Sequence, residues 1–519
     1  MLPAFYNEPG TDFTKPDNVS AFFAALDKMK ADMGRKYPLV IGGERIETAE
    51  TSASINPSRP NEVLGHFSKA TLEHVAKAVA AADAAFQTWQ YRPVEERARY
   101  LLRAAHEMRR RRHEFSAMMV LEVGKSWAEA DLDCAEGIDF IEYYARQALR
   151  MAQSSELLTP RMGEQIALEY IPLGVGAVIS PWNFPCAIAI GMTTAALVAG
   201  NTVILKPAGQ SPWIAYKMCE LFWNAGIPDG VLNFVTGSGA LIGPPLVEHP
   251  RTRFIAFTGS KEVGIDIFER AAKVHKGQLW LKRTVLEMGG KDAVVVDETA
   301  RLEDAANGIV MSAFGYSGQK CSAGSRAIIV DQVYEQVTER VVELARKLTV
   351  DAPDKGPDVY MGPVIDKSSF HKINEYIEVG TQEGKLLLGG KPLDTPEGGY
   401  FIPPTIFGDV PPNARIAQEE IFGPVLSVIR AKNYDDAIAI ANGTEFGLTG
   451  ALFSENRERL EHARKVFHVG NLYFNRKCTG AFVGAQPFGG FNMSGTDSKA
   501  GGPDYLLLFT QAKTITEKL

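Results

Sequence analysis

Residues 176–206 read GAVISPWNFPCAIAIGMTTAALVAGNTVILK, and the fold class turns on how they divide. Residues 176–179 and 202–205 are short, uniformly apolar runs. Between them lies the most apolar stretch of the chain, 186–200, interrupted by Gly191, Thr193 and Thr194. A bilayer span needs about 20 consecutive apolar residues, so this stretch is too short to cross a membrane and reads as the helix of a strand-helix-strand unit. Apolar runs without polar alternation suit parallel strands covered on both faces. The same rhythm continues at 232–235 and 254–257, which predicts a parallel, doubly wound sheet. A second such rhythm starts after Gly290, with 293–296, a turn around Cys321, 327–330 and a helix from about Val333 to Leu348.

Two sheets agree with the size of the chain. Its 519 residues exceed what one core fills, since single cores stop growing at about 250 to 300 residues. With 45% hydrophobic and 23% charged residues it has the composition of a globular protein. A net charge of -7 argues against a nucleic-acid partner, which calls for a basic face. The one basic cluster, Arg109 to Arg112, sits in a helical pattern and reads as a solvated helix end. Five dispersed cysteines form no C-x-x-C pair, so neither a disulfide framework nor a structural zinc is expected, and no metal. The first 18 residues carry no basic-then-apolar signal, which points to the cytoplasm.

Upstream, residues 37–46 read as strand, Gly42-Gly43 turn and strand. Helices are expected from an N-cap at Thr71, after Pro93 toward Glu122, and from about Ser126 to Arg150. Alternation at Ile166, Leu168 and Tyr170 after a Gly163 turn suggests a hairpin within 157–172. The apolar run 505–509 is suited to adding an edge strand.

Three side chains stand out as chemistry. Cys321, in GQKCSA at 318–323 and flanked by Gly315, Gly318 and Gly324, can be approached, and Lys320 or a helix start would favour its thiolate. Glu287 ends an apolar run before Gly289 and Gly290, where partial burial would raise its pKa toward that of a general base. Asn183 offers a side-chain N–H to a developing oxyanion. Taken singly, each has a plain structural alternative: a buried cysteine, a strand-end glutamate held by amides, a loop asparagine. Gly259, Ser260 and Gly264 follow a strand and open a helix where a phosphate could meet backbone N–H groups, and Lys206 ends a strand where it is a nucleotide contact or a surface lysine.

Together, residues 180–185, 206–208, 257–260, 286–291, 318–323 and 419–424 resemble the aldehyde dehydrogenase superfamily, in its usual order and over about residues 37–515. The resemblance implies an α/β architecture of two Rossmann-type doubly wound domains plus an oligomerisation hairpin. Residues 1–155 and 174–288 would form the nicotinamide-cofactor-binding domain and 289–482 the catalytic domain. Residues 156–173 and 483–519 would form the hairpin and C-terminal strand of a homo-oligomer built from dimers. It further implies Cys321 as nucleophile, Asn183 and the Cys321 N–H as oxyanion donors, and Glu287 as the base that hydrolyses a thioester. The cofactor NAD would meet Trp182, Lys206, Gly209, Gly259, Ser260, Gly264, Glu420 and Phe422. Gly209 stands where many NAD-preferring members carry a glutamate, so NADP is expected to be accepted as well.

A closer likeness, to the 1-pyrroline-5-carboxylate dehydrogenase branch, rests on the long opening segment, AEGIDF at 135–140, Ser322, and NRKCTGA at 475–481 followed by PFGG at 487–490. It implies oxidation of L-glutamate γ-semialdehyde to L-glutamate. Ser322, Gly480 and Ala481 would anchor the α-carboxylate, Glu136 would meet the amino group, and Phe184 and Phe488 would flank the methylenes. Functional coupling to a proline dehydrogenase follows as an expectation. Another semialdehyde, such as succinate semialdehyde, is the alternative, because only the anchor residues separate these substrates; a cofactor-free thioester hydrolase and a catalytically silent protein are more distant readings.

Overall fold

The structure, a computed structural model, describes residues 3–152 and 158–519. Its first large sheet has seven strands in the order Arg283–Glu287, Thr252–Thr258, Val175–Ile179, Thr202–Lys206, Leu232–Phe234, Leu39–Ile41, Glu44–Ile46. The first five are parallel and the last two antiparallel, the pair Leu39–Ile41 and Glu44–Ile46 being joined through left-handed Gly42 and Gly43. Every residue of Val175–Ile179 and Thr202–Lys206 is buried, as two covered faces require. The chain runs outward from Val175–Ile179 to Leu232–Phe234 and then returns to the other side of the starting strand. A crevice therefore opens at the carboxyl ends of Val175–Ile179 and Thr252–Thr258, the place where open α/β sheets receive ligands.

The second sheet, also of seven strands, runs Lys385–Leu388, Thr405–Gly408, Val425–Ala431, Arg326–Val330, Ala293–Val296, Thr449–Phe453, Asn471–Phe474. Only the Lys385–Leu388 edge is antiparallel. Strand Arg283–Glu287 of the first sheet ends six residues before Ala293–Val296 of the second begins. The carboxyl edge of one sheet is thereby brought against the amino edge of the other, with residues 288–292 between them.

Three local expectations differ. The helix after Pro93 is two, Val94–Arg110 and Arg112–Val123, broken at Arg111. Arg112 is no solvated helix end: its guanidinium lies on Asp131, with 11% of the side chain exposed. The hairpin expected within 157–172 begins outside the described residues, and its described part is one strand, Glu164–Pro172, antiparallel to Thr510–Lys518. The run Tyr505–Phe509 is a 3-10 turn whose Tyr505, Leu506 and Phe509 side chains join the helical core while Leu507 is exposed, and the edge strand starts only after it.

Candidate active site

Cys321 lies between helix Leu302–Phe314 and strand Arg326–Val330, at the amino edge of the second sheet. Its turn is held in a costly conformation. Tyr316, Ser317 and Gly318 have successive φ angles of 51°, 54° and 69°, a region that non-glycine residues enter at a cost of order 1 kcal/mol or more. The cost is offset by fastening. Tyr316 Oη donates to Val123 O at 2.9 Å, Ser317 Oγ to Gly362 O at 2.8 Å, and Gln319 Oε1 accepts from Ile365 N at 2.9 Å. A side chain at 318 would meet Gly423 O at 2.3 Å, so both φ and space demand glycine.

The expected help from Lys320 is absent. Its ammonium lies 2.6 Å from Glu129, on the other side of the turn. Cys321 is half-buried, and burial, with Asp292, Glu420 and Glu287 nearby, pushes its thiol up. These surroundings favour the thiol over the thiolate.

Asn183, at the carboxyl end of Val175–Ile179, faces the same small cavity of about 200 Å³ as Cys321. One of its amide hydrogens is spent on Gln319 O at 3.2 Å, which leaves the other free. Glu287 does not line that cavity. Its Oε1 accepts from Ser498 Oγ, and its Oε2 is buried without a partner. Burial raises its pKa to about 8, with Ser498 and Lys499 opposing.

The first sheet's crevice continues from this cavity as a groove of about 910 Å³ that includes Lys206, Gly209, Gly259 and Ser260. Two helices begin at it, Gly239–Glu248 and Lys261–Ala272, the second capped by Ser260 Oγ accepting from Val263 N. Helix starts offer unpaired N–H groups to phosphate. Lys206 is buried with, among the described residues, only the neighbouring Pro207 carbonyl as partner, and burial lowers its pKa to about 8. A side chain at Gly209 would meet nothing within 4 Å. Trp182 and Phe422 meet edge to face at 5.4 Å, and Glu420 Oε1 accepts from Gly290 N at 3.0 Å. Length, helix starts and a buried cation fit a nicotinamide dinucleotide. Gly264 does not reach the groove; it packs under Met288, whose sulfur would lie 2.4 Å from a Cβ at that position.

On the other side of the Cys321 turn a cavity of about 530 Å³ is lined by Ser322, Phe184, Glu136, Gly480 and Ala481, but not by Phe488, whose backbone is bridged to Ala500. Among the described residues the Ser322 hydroxyl and the Gly480 and Ala481 N–H groups make no hydrogen bond. Glu136 has no ion pair or hydrogen bond either, and burial beside Asp133 raises its pKa to about 8. The cavity's other charges are mostly spent: Glu129 on Lys320, and Asp133 on Lys125 at 2.8 Å. Lys125 was invisible in the sequence, yet its ammonium lies 3.7 Å from the centre of the Phe184 ring. Lys477 lines the cavity without an ion pair and was also missed, since a lysine beside Arg476 carries no signal of where it points.

The aldehyde dehydrogenase family model matches residues 45–515. A 1-pyrroline-5-carboxylate dehydrogenase of Geobacillus sp. (strain WCH70) is 60% identical over 517 residues, covering 100% of both chains. The structure of 1-pyrroline-5-carboxylate dehydrogenase from Thermus with bound NAD superposes with a TM-score of 0.97 at 52% identity, over 100% of each chain. Proline utilization A from Bdellovibrio bacteriovorus matches with a TM-score of 0.96 at 46% identity, over 99% of this chain and 53% of that one.

Proposed function

Since the chain belongs to the aldehyde dehydrogenase family, we infer that it oxidises L-glutamate γ-semialdehyde, the open form of 1-pyrroline-5-carboxylate, to L-glutamate with NAD. One observation carries the substrate: the cavity next to Cys321 leaves unspent three donors, at Ser322, Gly480 and Ala481, and one carboxyl, Glu136. An amino acid's carboxylate and ammonium need that complement, and a site built to bond a group rejects analogues that lack it. Succinate semialdehyde has no ammonium and would leave Glu136 idle.

The roles of the side chains follow. Once its thiol proton has passed to solvent, Cys321 Sγ adds to the aldehyde carbon, and the oxygen, gaining the charge as the C=O π bond opens, is met by the free amide hydrogen of Asn183 and the Cys321 N–H. Bound in the groove, NAD would supply the hydride acceptor for that carbon, and Cys321 would then carry a thioester. Glu287, once released from Ser498 and ionised, takes a proton from the water that cleaves the thioester. Lys206, Gly259 and Ser260 hold the cofactor's adenosine and phosphate end, and Trp182, Glu420 and Phe422 its nicotinamide ribose. Open space at Gly209 supports acceptance of NADP beside NAD. Among the described residues no helix is long and apolar enough to cross a membrane; a cytoplasmic enzyme, assembled from dimers through the Glu164–Pro172 ribbon and coupled to a proline dehydrogenase, is the finer reading. The match to about half of proline utilization A supports that coupling.

The test is an assay of the purified protein with glutamate semialdehyde, succinate semialdehyde and propanal, each with NAD and NADP. The reading requires the highest kcat/KM for glutamate semialdehyde, and a higher value for either other aldehyde overturns it.

A further inference from the structure

Residues 3–12 run extended, without regular structure, across helix Trp127–Met151, and they are tied down at several points. Asn7 Nδ2 donates to Asp139 Oδ2 on that helix at 2.8 Å and to Val483 O at 2.9 Å, which spends both amide hydrogens. Glu8 N donates to Asp139 Oδ1 at 2.7 Å, and Glu8 accepts from Arg109 at 3.0 Å. Further along, Thr11 N and Oγ1 both donate to Asp131, each at 2.7 Å. The Phe5 ring stands edge-on to Tyr143, and the two rings together fill the space a side chain at Gly484 would take, Tyr143 at 2.9 Å and Phe5 at 3.2 Å.

What Asn7 holds is the loop that offers the Gly480 and Ala481 N–H groups to the cavity. Among the described residues, 480–483 otherwise bond only within their own neighbourhood: Arg476 donates to Gly480 O, Phe482 N to Gln486 Oε1, and Phe482 O accepts from Ala485 and Gln486. Gly480 has a φ of 78°, which glycine adopts without strain and other residues rarely share. The loop is tied beyond these four residues as well, Cys478 N donating to Ser312 Oγ at 3.1 Å and Gly484 N to Gly501 O at 2.9 Å. Within residues 480–483, however, the bond from Asn7 is the one that reaches another element, and through Asp139 it leads to helix Trp127–Met151, which also carries Glu136.

We propose that Asn7 is a positioning residue for substrate specificity: by bridging Asp139 and Val483 it sets the separation between the Gly480–Ala481 donors and Glu136, hence the fit of an amino-acid end. This rests on the substrate reading above. A donor pair displaced by about 1 Å loses most of a bond to a carboxylate while chemistry at Cys321 is untouched.

The experiment compares the unmodified protein with Asn7→Ala and with Thr11→Val, which loosens the same strap at a point away from the loop. Steady-state kinetics on glutamate semialdehyde and propanal are measured beside competitive inhibition by L-glutamate. The expected result is a rise of about ten-fold in KM for the semialdehyde and in the inhibition constant of L-glutamate for Asn7→Ala, with kcat within about two-fold and a much smaller change for propanal, and little change of either in Thr11→Val. Equal losses on both aldehydes, equal effects of the two variants, or an unchanged KM in Asn7→Ala overturn the proposal. An unmodified protein that does not prefer the semialdehyde to propanal overturns the substrate reading, and the inference with it.

Discussion

Glu287 and Cys321 are the residues whose environment most constrains the chemistry. Both are titratable groups set where charge is costly, and burial pushes the pKa of each upward. Iodoacetamide should alkylate Cys321 of the free protein at pH 7 about ten-fold more slowly than an ordinary exposed cysteine, with a rate still climbing above pH 9; rapid alkylation at pH 7 would show that the thiolate is already formed. Removing the base in Glu287→Gln should leave an acyl adduct on Cys321, visible by intact mass after one turnover, while the unmodified protein's deacylation rate should climb through pH 8. The same group makes a stability prediction. Its folded pKa, about 8, lies above the value of about 4.5 for an exposed glutamate, so the unfolded chain loses this proton first and stability drains away between pH 5 and pH 8. Glu287→Gln should therefore gain in Tm over the parent at pH 8 and much less at pH 5. At Gly209, where a side chain meets nothing, Gly209→Glu should shift the NAD-to-NADP ratio of kcat/KM toward NAD by about ten-fold or more, through repulsion of the 2'-phosphate. An unmoved ratio would mean that position 209 does not face the ribose.

At the scale of elements, the site depends on how helix Trp127–Met151 is seated. Lys125, just before it, and Asp133, within it, form an ion pair with neither side chain exposed, and Asp133 Oδ1 accepts from Ala187 N at the start of the next core helix, at 2.7 Å. The pair thus fixes two helices and the Phe184 ring at once. Removing one member strands the other without water, which costs about 3 to 5 kcal/mol in comparable cases. Lys125→Met should lower denaturant stability by that order, and a double Lys125→Met, Asp133→Leu variant should recover much of it. If the single variant is as stable as the parent, the pair does not hold the helix.

For the whole molecule the exposed feature is the ribbon of Glu164–Pro172 and Thr510–Lys518. Nine residue pairs join its strands, yet eight of the nine residues of Thr510–Lys518 are exposed. A two-stranded ribbon is marginal alone in water and gains from a cover, which a second copy of the chain can supply. Deleting residues 511–519 should lower the assembly mass measured by light scattering, and an unchanged mass would remove the ribbon from the interface.

Much of this was legible in the chain itself. Strands such as Ala293–Val296 and Thr202–Lys206 announce themselves because a parallel strand covered on both faces must be apolar throughout, and that demand is local. Cys321, Glu287 and Asn183 could be picked out because ordered motifs surround them. What neighbours do to a residue was not legible. Lys320 beside Cys321 suggested a thiolate, but side chains of successive residues in a turn point apart, and tertiary contact gave Lys320 to Glu129 and left the thiol among carboxylates. Phe488 and Gly264 match their motifs in order, yet Phe488 is bridged to Ala500 through its backbone and Gly264 packs under Met288. Strand Glu164–Pro172 shows its alternation plainly, while its partner lies about 340 residues on, a pairing that closing the chain decides and local pattern cannot encode. Which residues are chemically capable is a property of the sequence; which of them keep a free donor or an unpaired charge depends on what the fold places against them.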